Sequence, residues 1–276
     1  MARPLSVPGN VSLRRAGARK KTAHRARGTR RVTCVGGGVY GSFESGAMTK
    51  PWTTLDAAET PDGPLVLKRH DAMGYIITHE GRVLMSSRSH ASETALGALA
   101  CAGLRERRDA RVLVGGLGMG ITLRAALDAL APTARVTVAE LNPVIVRWCK
   151  GPLAPLTAGA VDDPRVTVEL RDFAAVLGEA AARPGSVDAI AIDLYVGPDA
   201  DAGDGHPLYG ARAAEQSFRA LRPGAVFAVW GEAYHASYER RLVRAGFTVT
   251  RENPARGNAR AVVYAATKPA GEARPG

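Results

Sequence analysis

Three cysteines in 276 residues are few, and they stand apart, at Cys34, Cys101 and Cys149, with no Cys-x-x-Cys pair and no Cys/His cluster. Such spacing offers neither a zinc site nor a disulfide framework, so no metal is expected, and it fits a reducing, cytoplasmic setting. No apolar run approaches the roughly 18 residues of a membrane helix, so no membrane partner is expected. Aromatics are scarce at 5%, yet hydrophobic residues reach 46%, ample for an aliphatic core in one large domain or two small ones. Acid is what the first 47 residues lack: ten Lys or Arg stand against Glu44 alone. The remainder carries 27 bases and 25 acids, so the formal charge of +11 belongs to the leader. The nearly neutral body gives no basic surface for nucleic acid.

The leader, 1–47, shows no hydrophobic period and is rich in Arg, Gly and Ser, a composition of disorder. Its charge is like that of an organelle transit peptide, Arg30-Arg31 is like a twin-arginine signal, and a nucleic-acid-binding arm would also fit. The stretch after Arg31 is too short and too broken by Gly36 to Gly38 for an export core. The preferred expectation is that translation begins at Met48, because recognisable order starts at Trp52.

Arg111 to Glu140 organises the rest. Val112 to Val114 form a short apolar run bounded by glycine, the mark of a buried strand. Gly116, Gly118 and Gly120 alternate through a turn, and Leu123, Leu127 and Leu130 then give one apolar helix face. Val136 and Val138 restart strand character, with Glu140 at the carboxyl end. This is a βαβ unit whose bare turn lets the main chain and helix N–H groups approach a ligand. Glu140, twenty positions after Gly120, is placed to accept two ribose hydroxyls. The alternative is a Gly-rich turn with a solvated acid.

Residues 52–88 read as a small antiparallel β unit, with strands around Leu65-Leu67, Tyr75-Thr78 and Arg82-Met85. Ser89 to Arg105 reads as a helix, with Ser89 or Ser92 as N-cap and Leu96, Leu99 and Ala100 buried. Glu93 and His90 in its entry turn either serve the helix and solvent or point toward a site. After Glu140 the αβ alternation continues through Val166-Leu170, Val187-Ile192 and Val226-Trp230, and the chain ends in an antiparallel edge pair around Phe247 and Ala261. Asp172 and Asp193 thus join Glu140 and the glycine turn on the carboxyl edge of the sheet, where open α/β sheets bind ligands.

With these residues in place, the chain resembles the class I AdoMet-dependent methyltransferase superfamily, an α/β, Rossmann-like sheet with a C-terminal antiparallel hairpin. More narrowly it resembles the polyamine aminopropyltransferases, the spermidine and spermine synthases of polyamine biosynthesis. The resemblance rests on Gly116-Leu117-Gly118-Met119-Gly120, Ala139-Glu140-Leu141, Arg171-Asp172-Phe173 and Asp188 to Asp193. Leu208-Tyr209, Leu221 to Ala225 and Gly231-Glu232 extend it, and it spans roughly Trp52 to Thr267. Beyond the compositionally distinct leader (1–47), it implies a small β unit with a joining helix (48–104) and a nucleoside-binding transferase domain (105–276). It implies S-adenosylmethionine or its decarboxylated form as co-substrate, a small amine acceptor, and a homodimer. Gly116, Gly118 and Gly120 would then bind the amino-acid side of the donor, Glu140 the ribose and Asp172 the adenine. Asp193 would be the catalytic carboxylate, and Glu93, Tyr209 and Glu232 would face the acceptor.

Departures from the family pattern stand beside the matches. Met119 replaces an aspartate that helps hold the donor's amino group, Val196 replaces a second aspartate, and Ala91-Ser92 replace a tyrosine–glutamine pair. Removing the partner of a buried ammonium costs on the order of 3–5 kcal/mol, which counts against ordinary polyamine synthesis unless Glu93, Glu232, Asp199, Asp201 or Asp204 compensates. Three other readings remain open: a methyltransferase using intact AdoMet, a non-catalytic nucleoside-binding protein, and a nicotinamide dehydrogenase. The last wants a final glycine that this Gly-x-Gly-x-Gly turn lacks.

Overall fold

The computed structural model describes residues 51–61, 63–199, 203–254 and 261–270, all within one compact unit, Thr49–Gly276. The readings of the leader lie outside the described residues. Four strands, β1 (Thr53–Thr60), β2 (Gly63–His70), β3 (Gly74–His79) and β4 (Arg82–Ser86), form an antiparallel sheet in chain order. Sequence periodicity marked three of them. The unmarked strand, β1, is an edge strand of sequence Thr-Thr-Leu-Asp-Ala-Ala-Glu-Thr with no buried residue, so it carries no apolar alternation to read. It is held instead by Asp56, whose Oδ2 accepts Arg147 Nη2 and Trp148 Nε1, both at 2.7 Å. These two bonds hold the Asp56 carboxyl below its ordinary pKa.

The joining helix, α1 (Ala91–Ala100), is shorter than the span 89–105 expected from its pattern. His90, not a serine, occupies the N-cap and makes no side-chain capping bond, while Ser92 lies inside the helix and donates to Glu93 Oε2 at 2.6 Å. After the C-cap, Cys101, the chain turns through Gly103, left-handed at φ 79°, and Leu104 returns to the core. Leu96 and Ala100 are buried and Leu99 is half-buried.

Alternation of strand and helix follows: β5 (Arg111–Gly115), α2 (Ile121–Asp128), β6 (Arg135–Glu140), α3 (Pro143–Lys150), β7 (Val166–Leu170), α4 (Phe173–Ala181), β8 (Val187–Ile192), α5 (Ala211–Ala220), β9 (Leu221–Gly231), α6 (Ala236–Arg244), β10 (Thr248–Glu252) and β11 (Val262–Thr267). The seven strands are ordered β10-β11-β9-β8-β5-β6-β7, parallel from β9 to β7 and antiparallel at the β9-β11-β10 end. Every residue of β8 is buried, as a central parallel strand covered on both faces requires. Leu96, Leu123, Leu127 and Trp148 pack on one face of the sheet. Phe173, Leu177, Tyr238 and Leu242 pack on the other.

Two features aim this frame at the site. Strand order reverses between β5 and β8, so their carboxyl ends flank a crevice, and Asp193 N donates to Gly115 O there at 2.8 Å. Gly97 lets α1 press against α2: a Cβ at that position would lie 2.4 Å from Thr122 O. At the opposite end of β8, buried Asp188 is matched by Arg107, Arg222 and, at 2.8 Å, Arg111 N, so it braces the floor of the sheet far from the crevice.

Candidate active site

The glycine turn after β5 is built on backbone that other residues resist. Gly116, Gly118 and Gly120 have φ of 89°, 52° and 80°. A Cβ on Gly116 would stand 2.3 Å from Asp193 O, so the turn touches the chain leaving β8. Gly120 occupies the N-cap of α2 and packs toward Thr157, behind the crevice.

Glu140 anchors this turn. Its Oε2 accepts Leu117 N at 2.9 Å and its Oε1 accepts Asn142 N at 2.8 Å, with the residue 8% exposed. Each carboxylate oxygen has a further lone pair, so one residue can shape the loop and still accept hydroxyl groups from a ligand. Asp172 caps α4 through Ala174 N at 2.8 Å and is exposed. The structure brings Gly116, Gly118, Glu140, Asp172 and Asp193 to one cavity of about 290 Å³, whose apolar walls include Ile145 and Phe173.

Asp193 is the most perturbed acid of the crevice. Burial pushes its carboxyl up to about 7, the nearby Glu93 charge adds to the rise, and the hydrogen bond from Thr122 opposes it. That bond, Thr122 Oγ1 to Asp193 Oδ2, is 2.6 Å long, and the same hydroxyl lies 3.2 Å from Glu93 O. Thr122 was not singled out from sequence; a hydroxyl in the first turn of the helix after the glycines was its one visible signal.

A second cavity, of about 220 Å³, opens on the other side of Asp193. Glu93 lines it, together with Ser86, Ser89, Met119, Ile121 and Trp230. The two cavities share Leu84 and Met85 of β4, Gly118, Asp193, Leu194 and Tyr195. They therefore adjoin along a shared wall that includes Asp193.

Other residues named from sequence fall elsewhere. His90 is exposed and bonds to Thr94, away from both cavities. Tyr209 lines the larger cavity, not the one containing Glu93; it is 2% exposed and its hydroxyl donates to Val196 O at 2.8 Å. Glu232 is exposed beyond β9 and lines neither cavity. Met119 is buried beside the smaller cavity, and Val196 is exposed at the larger. Asp204 pairs with Arg241 at 2.9 Å, and Asp201 lies outside the described residues.

His206 contributes a wall that the sequence reading missed. Its Nδ1 accepts Leu208 N at 3.2 Å and Tyr209 N at 3.1 Å, which calls for the neutral ring with its proton on Nε2. Burial lowers its pKa, consistent with that form. Arg241 Nη1 donates to Tyr209 O at 2.8 Å, so this segment is pinned to α6. Among the described residues no group of three or more His, Cys, Asp or Glu could hold a metal, and no helix is long and apolar enough to cross a membrane.

The architecture is a mixed α/β one with a mostly parallel central sheet, the methyltransferase-like fold of spermidine synthases. The spermidine synthase of Thermotoga maritima superposes with a TM-score of 0.59 at 16% identity, covering 77% of this chain and 72% of that one. A spermidine synthase in complex with the transition-state analogue AdoDATO gives 0.57 at 15% identity, with the same coverages. Polyamine aminopropyltransferases of Mycobacterium tuberculosis and Mycobacterium bovis are 34% identical over 118 residues. That segment is 43% of this chain and 22% of the length of those relatives. No family model matches the chain. The chain thus shares the fold of spermidine synthases and, over that 118-residue segment, resembles polyamine aminopropyltransferases in sequence.

Proposed function

We propose that this protein is a transferase of the spermidine synthase type, moving an aminopropyl group from decarboxylated AdoMet to a small amine. The observation that carries the reading is Asp193, an acid of raised pKa that lines both adjoining cavities. In this reading the larger cavity takes the nucleoside, with Glu140 on the ribose, Asp172 toward the adenine and the glycine turn along the donor's tail. The smaller cavity takes the acceptor. Val83 to Ser86, Ser89, Ser92 and Glu93 of the 48–104 unit line it, while the donor cavity, mostly of the 105–276 domain, is bordered also by Thr60, Leu65, Ile77 and His79.

The donor contributes an electrophilic carbon bound to sulfonium sulfur. Asp193 takes the proton of the acceptor ammonium, which frees the nitrogen lone pair. Nitrogen then bonds to that carbon, the C–S bond breaks, and its electron pair neutralises the sulfur as a thioether. A base near pH 7 suits this task, because it is ionised in use yet basic enough to accept the proton. Holding both partners on one rigid strand end supplies the alignment that displacement needs.

Met119 favours a second reading on the same frame, methyl transfer from intact AdoMet. A buried thioether side chain cannot pair with a donor ammonium, whereas intact AdoMet carries a carboxylate of its own. Titration calorimetry with the two donors separates the readings. Binding of the decarboxylated form, with turnover abolished in Asp193→Asn, supports aminopropyl transfer. Binding of AdoMet alone supports methyl transfer, and heat from neither refutes both.

A further inference from the structure

The wall of the larger cavity at His206 is a short turn that closes on itself. His206 N donates to Gly203 O at 3.0 Å, Gly210 N to His206 O at 2.9 Å and Ala211 N to Asp204 O at 3.0 Å. A Cβ on Gly210 would stand 2.3 Å from Asp204 O, so the turn has no room for one. Inside it the His206 ring acts as an asparagine side chain does in an Asx turn. Its Nδ1 accepts the N–H groups two and three residues on, those of Leu208 and Tyr209. The same ring stacks on Tyr209, with centroids 5.0 Å apart and planes at 26°, and His206, Leu208 and Tyr209 all line the cavity. One ring nitrogen therefore holds three lining residues together. Only the neutral ring can do so, because the imidazolium would turn a further donor toward those N–H groups.

We infer that His206 is a positioning residue of the nucleoside cavity, its neutral Nδ1 being the acceptor that fixes the wall from His206 to Tyr209. The inference rests on the reading that the larger cavity takes the nucleoside, and it gives that site an acid limit separate from the base Asp193. Burial favours the neutral ring, Asp199 in the segment after β8 opposes it, and Arg241 of α6 adds to it. Asp204 is engaged with Arg241, and burial keeps the Tyr209 hydroxyl protonated, with Asp193 and Asp199 reinforcing that. Among the described residues the cavity's other charged or imidazole side chains are His79, Glu140, Arg171, Asp172 and Asp193. The net shift at His206 is downward. The wall is thus fully held above the ordinary value of 6.5 and is released as pH falls through the lowered folded value. A nucleoside that needs the wall in place binds in proportion to the fraction held.

Methylthioadenosine is the probe, because it is an uncharged nucleoside thioether and brings no sulfonium for the Asp193 charge to attract. Its affinity for the full chain is measured by calorimetry from about pH 8 down to about pH 4.5, in the parent, His206→Ala and His206→Asn. At the upper pH His206→Ala should bind about 10- to 100-fold more weakly than the parent. His206→Asn, whose amide oxygen can accept the same two N–H groups, should restore most of that loss. At the lower pH the parent should weaken at least about tenfold relative to His206→Asn. Asp193, Asp199, Glu140 and His79 are common to both chains, so their titration cancels in that ratio. Hydrogen exchange of the Leu208 and Tyr209 amides without nucleoside is the independent readout: about tenfold faster in His206→Ala and near the parent rate in His206→Asn. Binding and exchange unchanged in His206→Ala, no restoration in His206→Asn, or a parent-to-Asn ratio that is flat with pH each overturns the inference and leaves the nucleoside reading standing. No heat from the parent at the upper pH refutes the nucleoside reading and the inference with it.

Discussion

Thr122 sets how easily Asp193 gives up its proton, and Thr122→Val isolates that effect by exchanging a hydroxyl for a methyl of similar shape. The hydroxyl donates at 2.6 Å to a carboxylate that burial has raised to about 7. A hydrogen bond to a charged group contributes about 1.5–3 kcal/mol, and 1.36 kcal/mol corresponds to one pKa unit, so removing it should raise Asp193 by about one to two units. Because the carboxylate is the active form, the acidic limb of the kcat/KM profile should move to higher pH by that amount. At pH 7, where half of the Asp193 carboxyl is ionised in the parent, activity should fall about 5- to 50-fold, and it should recover as pH rises toward 9. Thr122→Ser keeps the donor and should keep the limb in place. A rate loss of equal size at every pH, or an unmoved limb, would refute the claim that Thr122 acts through the Asp193 proton.

Asp193→Asn should also stabilise the fold in a pH-dependent way. Asp193 is raised from 3.8 to about 7, so the native state holds its proton over a range where the unfolded chain has lost it. Stability therefore falls as pH climbs from about 4 to about 7, and the full cost persists above that. Thermal melts should show a gain for the variant of about 2–4 kcal/mol at pH 8 and little at pH 4; an equal gain at both would contradict this. Glu140→Gln places an amide NH₂ against Leu117 N or Asn142 N, where an acceptor is needed, and should weaken nucleoside binding about 10- to 100-fold by calorimetry. Gly97→Ala drives a methyl to 2.4 Å from Thr122 O and should cost about 1–3 kcal/mol in denaturant unfolding; an unchanged midpoint would mean α1 and α2 are not in firm contact.

The carboxyl edge was legible because it follows from local signals. Val112-Leu113-Val114 before a glycine turn, Glu140 after Val136 and Val138, and Asp193 after an unbroken apolar run each mark a strand end within a few residues. What escaped depends on partners distant in sequence. Thr122 matters through a residue 71 positions away, and that contact exists only because β5 and β8 are neighbours at the sheet's reversal. Gly97 looked like an ordinary helical residue until α2 packed against it. β1 stayed hidden because its stability comes from pairing and from Asp56 rather than from an apolar face. The serine expected to cap α1 bonds instead to its acidic neighbour, a local choice that propensity does not decide.

The short strand β4 borders both cavities through Leu84 and Met85, yet among the described residues it pairs with β3 alone and lies at the edge of its sheet. A substitution on β4 meets one paired strand, while a change in β5 or β8 meets a paired strand on each side. Reaction chemistry in such a molecule is inherited with the sheet, and the choice of guest can drift with a five-residue ribbon at its rim.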